Sequence, residues 1–168
     1  MTIELLERAN TALGQLVDDV VFVGGATVTL WITDPGAPPM RVSDDVDVIV
    51  EVANRSAYYR FEERLRNAGF REEKTVICRW LHDETELVLD AMPADASILG
   101  FENHWQREAL PHAVDMTLPS GRQIRAVSPP YLMATKLEAF AGRGKKRPAR
   151  EQGLWRHSGT GRWPGGAG

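Results

Sequence analysis

Three aspartates crowd the start of one apolar segment, Arg41-Val42-Ser43-Asp44-Asp45-Val46-Asp47-Val48-Ile49-Val50-Glu51-Val52. Valines recur at 46, 48, 50 and 52, and period two marks a strand with one face buried. The same alternation sets Asp45 and Asp47 side by side on the other face. Carboxylates at that spacing repel each other unless a cation lies between them. Oxygen ligands of this kind suit Mg²⁺, which takes one or two carboxylates and completes its shell with water and substrate phosphates. The plainer alternative is a solvated strand entrance, since acidic turns often precede strands. Asp90 raises a related question, because it interrupts the apolar run Leu87-Val88-Leu89-Asp90-Ala91-Met92. A buried acid is expensive unless it is paired or bound to metal, so Asp90 is either a third ligand or an edge-strand residue reaching water.

Two features could handle anions. Val20-Val21-Phe22-Val23 runs into Gly24-Gly25, and Ala26 to Ile32 then reads as a short helix. A strand meeting a glycine pair at a helix start brings bare backbone N–H groups to one point, which favours phosphate; a plain tight turn is the competing reading. Lys136 falls inside the stripe Leu132, Met133, Leu137 and Phe140, which reads as the inward face of a helix opened by Ser128-Pro129-Pro130. A lysine on an apolar face either snorkels to its edge or points at an anion. The four histidines, His82, His104, His112 and His157, have no metal-ligand spacing, and no Ser/His/Asp arrangement stands out.

The elements needed to position these residues follow from pattern. Residues 3–17 carry Leu5, Leu6, Ala9, Leu13, Leu16 and Val17 at helical spacing behind Thr2. Asp34 to Met40, with three prolines, is a loop. Ser56 to Ala68 is a charged helix stopped by Gly69. Thr75–Leu81 and Glu86–Met92 form a hairpin through His82-Asp83-Glu84-Thr85. Residues 95–110 have no clean period, and Ala113–Leu118 with Gln123–Val127 make a second hairpin. The fold class is therefore α+β, a mixed sheet flanked by helices.

At 168 residues the chain is long enough for a sizeable core. Its single cysteine, Cys78, precludes an internal disulfide and suits a reducing cytoplasm. Glu4 and Glu7 among the N-terminal leucines argue against a signal peptide, and no apolar run approaches membrane-spanning length. The net charge of −3 conceals an asymmetry: residues 142–168 hold seven Lys/Arg against one acid, a net +6, leaving −9 on residues 1–141. An acidic body does not draw in polyanions by its overall field, so phosphate handling must be local. The expected division is a domain over 1–141 and a basic Gly/Arg/Trp tail over 142–168, read as disordered or as the product of a shifted reading frame.

In order, these pieces resemble the nucleotidyltransferase superfamily related to DNA polymerase β, and within it the AbiEii-type toxins and minimal nucleotidyltransferases of toxin–antitoxin pairs. The residues carrying the resemblance are Phe22-Val23-Gly24-Gly25-Ala26, Arg41-Val42-Ser43-Asp44-Asp45-Val46-Asp47-Val48, Val88-Leu89-Asp90-Ala91-Met92-Pro93 and Ala134-Thr135-Lys136-Leu137-Glu138-Ala139-Phe140. The resemblance spans about residues 5–145 and implies a nucleotidyltransferase fold and transfer of NMP from an NTP to a hydroxyl of tRNA or a protein. It implies two Mg²⁺ ions on Asp45, Asp47 and Asp90, with Asp90 helping to activate the attacking hydroxyl. Gly24, Gly25 and Thr27 would cradle the β/γ-phosphates, Arg41 would contact phosphate or brace Asp45, Ser43 would lie beside the nucleotide, and Lys136 would neutralise the departing pyrophosphate. A cognate antitoxin is the implied partner. A nuclease using the same carboxylates would need neither the glycine pair nor the lysine. This chain departs from the pattern in the longer, proline-filled gap between Gly25 and Asp45, and in the Gly/Arg/Trp tail that stands where relatives carry an Asp-rich segment and further helices. A non-catalytic relative that binds a partner or nucleotide is the alternative.

Overall fold

The structure is a computed structural model that describes residues 2–34, 36, 43–99 and 104–145; Arg41 and residues 146–168 of the tail lie outside the described residues. Seven strands form one mixed sheet: β1 Val20–Val23, β2 Asp45–Val50, β3 Phe70–Glu72, β4 Arg79–His82, β5 Val88–Pro93, β6 Val114–Thr117 and β7 Gln123–Ala126, ordered β3-β4-β5-β2-β1-β7-β6. The strands expected around the glycine pair, the acidic segment and Asp90 are therefore β1, β2 and β5, at the centre of the sheet. β1 and β2 run antiparallel, whereas β2 and β5 run parallel.

The helices are α1 Thr2–Leu13, α2 Arg55–Asn67, α3 Ala96–Leu99, α4 His104–Ala109 and α5 Pro129–Lys145. The helix expected over 3–17 stops at Leu13 because Gly14 takes φ +54°, and a 3-10 helix follows over Gly14–Asp19. The Asn54 side chain caps α2 by accepting from the Ala57 N–H. Leu6, Ala9 and Leu13 of α1 and Tyr58, Phe61 and Leu65 of α2 pack with Val46, Val48 and Val50 of β2 in one core layer. On the opposite side of the sheet, Val21, Val23 and Ile49 pack with Ala109 of α4, Leu132 of α5 and Val127. Val46, Val48 and Val50 thus bury one face as the alternation requires, while Ile49 buries the other beyond the two aspartates.

Three further expectations are corrected. The segment after Gly25 is a six-residue 3-10 helix, Ala26–Trp31, too short and tightly wound to carry the dipole of an α-helix. Thr75–Cys78 is not strand, and the hairpin partner of β5 begins at Arg79. The third correction concerns the face of α5. Leu132 and Thr135 are buried, but Met133, Leu137 and Phe140 are 60, 62 and 76% exposed. The helix is held through a different row: Tyr131 meets Trp105 edge-on and stacks on His112, and the Glu138 carboxylate accepts from the backbone N–H groups of His104 and Trp105. The helix also continues through Gly142 to Lys145, past the expected division at 141/142.

Candidate active site

Register assembles the site. Asp47 of β2 is the cross-strand partner of Asp90 on β5, and Asp90 is in turn the partner of Arg79 on β4. Directly opposed residues on adjacent strands project from the same face, so three charged side chains stand in one row across the middle of the sheet. Asp45, two residues before Asp47, shares that face. The row opens into a cleft of about 600 Å³, of the size that takes small-molecule ligands.

Of the nine residues expected at the site, seven line this cleft: Gly24, Gly25, Ser43, Asp45, Asp47, Asp90 and Lys136. Thr27 does not. It is fully buried, and its hydroxyl donates to the Gly24 carbonyl at 3.0 Å, so it braces the glycine turn from below. Its place in the first turn after the glycine pair, a polar residue within an otherwise apolar turn, fits this role as well as it fits phosphate contact. Arg41 lies outside the described residues.

The two glycines stand against specific neighbours, and at Gly24 the fit admits no side chain. Gly24 has φ +79°, and a Cβ there would fall 2.0 Å from Asp47 Oδ2. No side chain fits, and the Asp47 carboxylate rests directly on the Gly24 backbone. A Cβ on Gly25 would come within 3.2 Å of Ser43 Oγ. Ser43 in turn donates from its hydroxyl toward Asp45, with the backbone carbonyl at 3.1 Å and Oδ1 at 3.2 Å. Ser43 thus sets the orientation of one carboxylate, while Gly24 leaves room for the other.

The electrostatics are those of crowded acids. Burial, then the neighbouring charges of Asp45 and Asp90, push the Asp47 carboxyl up to about 7, and Lys136 and Arg79 offset only part of this. A carboxylate this reluctant to ionise is expected where a positive charge is to be taken up. The all-oxygen donor set fits Mg²⁺, and Asp45, Asp47 and Asp90 are the residues that would hold it. As they stand, the described residues contain no group of three or more His, Cys, Asp or Glu side chains already gathered around a single point. Two of the three carboxylates are engaged by Arg79. Its Nε donates to Asp90 Oδ1 at 2.8 Å, and its Nη2 to Asp90 Oδ2 at 2.8 Å and to Asp45 Oδ2 at 3.0 Å. The Asp90 hydrogen bond holds the guanidinium firmly protonated.

Arg79 is the residue that the sequence reading missed. Its neighbours Cys78 and Trp80 carry no motif, and only the β4–β5 register puts it beside Asp90. The available signal was a basic residue in the strand that pairs with the aspartate-bearing one. Gln106, on α4, also lines the cleft and was hidden by the lack of period in 95–110. No protein-family model matches this sequence, and no curated protein matches it either. Among the described residues no helix is long and apolar enough to cross a membrane.

Proposed function

We propose that the protein is a Mg²⁺-dependent nucleotidyltransferase that moves NMP from an NTP to a hydroxyl of a tRNA or protein acceptor, as the toxin-like component of a toxin–antitoxin or defence pair. The observation that carries this reading is the row Asp47–Asp90, joined by Asp45, in one cleft with Gly24, Gly25 and Lys136. Bound ions would supply Lewis-acid stabilisation of the entering and leaving oxygens of an in-line displacement. The chain's own task is to position and to neutralise. Asp45, Asp47 and Asp90 would hold the ions, and Asp90, on the neighbouring strand, would help to activate an attacking hydroxyl. The side-chain-free Gly24–Gly25 backbone lets phosphate oxygens approach closely. Lys136, exposed at the cleft wall, counters the charge that builds on the departing pyrophosphate. Met92 and Ala139 add an apolar flank on which a base can rest.

The test is transfer of label from NTP labelled at the α-phosphate, with Asp45→Ala/Asp47→Ala as the comparison. Mg²⁺-dependent transfer by the native protein, abolished in the double variant, is expected; transfer that survives the double change refutes the assigned site. A second reading, a non-catalytic module that binds a partner or nucleotide, is favoured by one observation, the exposed apolar stripe Met133–Leu137–Phe140 on α5. It predicts no transfer with any NTP.

A further inference from the structure

Both oxygens of Asp90 and one of Asp45 are taken up by the Arg79 fork, while Ser43 occupies the other oxygen of Asp45. A bidentate guanidinium–carboxylate pair is among the strongest and most directional ionic contacts available to a protein. Here it lies where a divalent ion sharing Asp45 and Asp90 would draw the same oxygens. The backbone is adapted to put it there. Cys78, immediately before Arg79, has φ +67°, a left-handed conformation that costs a non-glycine residue about 1–2 kcal/mol, and its carbonyl accepts from the Ala91 N–H at 2.9 Å. Strain of this kind persists where the surroundings over-determine it, most often at functional sites. Arg79 opens β4 and follows the exposed turn residues Val76 and Ile77, and its own side chain is 28% exposed. It can therefore swing outward without disturbing the core.

The geometry points to Arg79 as a displaceable internal cation: it clamps Asp45 to Asp90 across β2, β5 and β4 in the ion-free protein, and yields Asp45 when a divalent ion binds. The inference rests on the metal-binding half of the function proposed above. Arg79 is a positioning residue by this account, and it competes with the ion instead of assisting it. Without the clamp, three carboxylates on adjacent strands would repel each other with only Lys136 to oppose them, so the guanidinium holds this part of the sheet together when no ion is bound. Once an ion takes Asp45, the guanidinium stays on Asp90 and the Nη2 hydrogen that held Asp45 faces the cleft that Arg79 lines, where it can meet the phosphates of an incoming nucleotide.

The experiment pairs two measurements on the full chain at one fixed pH: thermal unfolding without divalent ions, and Mn²⁺ binding by titration calorimetry. Arg79→Gln is expected to lower the ion-free melting temperature while tightening Mn²⁺ binding by about tenfold, the affinity change that corresponds to about 1.4 kcal/mol. A purely structural arginine would move both readouts in the same direction. Arg79→Lys keeps the charge but loses the fork, so it folds more readily and is expected to bind Mn²⁺ with an affinity between those of native and Gln forms. Unchanged or weaker Mn²⁺ binding in both variants overturns the competition while leaving the transferase reading intact. Absence of Mn²⁺ binding by native and variant proteins alike overturns both.

Discussion

At the scale of single residues, the site depends on what is missing at position 24. Gly24 combines a left-handed backbone with contact against the Asp47 carboxylate, and either alone would disfavour a side chain. Gly24→Ala should cost about 1–2 kcal/mol from the backbone conformation, and should also push Asp47 out of line with Asp90. Gly121 separates the two effects: it has φ +84° but open space where its Cβ would be. Gly121→Ala is therefore expected to lose comparable stability while Mn²⁺ affinity and nucleotidyl transfer stay at native levels. In Gly24→Ala, both should fall. Calorimetric titration with Mn²⁺ and thermal melts of the two variants decide this, and equal Mn²⁺ affinity in the two would mean that Gly24 serves only the turn. Ser43 acts on the same scale, since its hydroxyl fixes the second carboxylate through contacts at both ends of Asp45.

At the scale of elements, α5 shows what a periodic pattern conveys and what it omits. Its sequence offers two apolar rows, and the richer one, Met133, Leu137 and Phe140, turns to solvent, whereas the sheet is met by Leu132 and Thr135. The choice is made by α4, whose first backbone N–H groups are held by Glu138 and whose Trp105 packs on Tyr131. Since α4 lies in a stretch without apolar period, the sequence could not say which row it would select. The prediction is direct. Leu137→Gln/Phe140→Gln should change stability by no more than about 0.5 kcal/mol per site, as exposed substitutions do. Had these residues faced inward, removing them would cost about 2–5 kcal/mol each. Chemical denaturation of the double variant distinguishes the two. The strands were more legible. β1 and β2 carry β-branched runs bounded by glycine or aspartate, β5 is an apolar run closed by Pro93, and the order of these pieces, through the family resemblance, brought Asp45, Asp47, Asp90 and Gly24 into one reading. Arg79 was not legible, because its role comes from a cross-strand register between β4 and β5 that no local pattern encodes.

The whole molecule registers the crowded carboxylates through its stability. Asp47 ionises near 3.8 in an unfolded chain and only at about 7 in the fold. Below both values it is protonated in either state and contributes nothing. Between them the native state holds a proton that the unfolded state has released, so folding becomes less favourable as pH rises. Above the native value the penalty is complete. Glu7, Glu73 and Asp95 work the other way, because hydrogen bonds from Ser120, Thr75 and Ser97 respectively hold them below their usual range. Their contribution is lost only at lower pH, as they protonate. The net −9 carried by residues 1–141 also makes high pH less favourable through general self-repulsion, so the Asp47 effect has to be read against a variant sharing that background. Asp47→Asn provides it. The ion-free native protein should melt higher at about pH 5 than at about pH 8, and the difference should shrink markedly in Asp47→Asn. On the proposed function, an ion taken up by the folded, ionised site should raise the native melting temperature more at the higher pH and raise that of Asp47→Asn little at either. Superimposable pH profiles for the two proteins would mean that Asp47 is not the proton-holding carboxylate of this sheet, and that its neighbours share the charge in some other way.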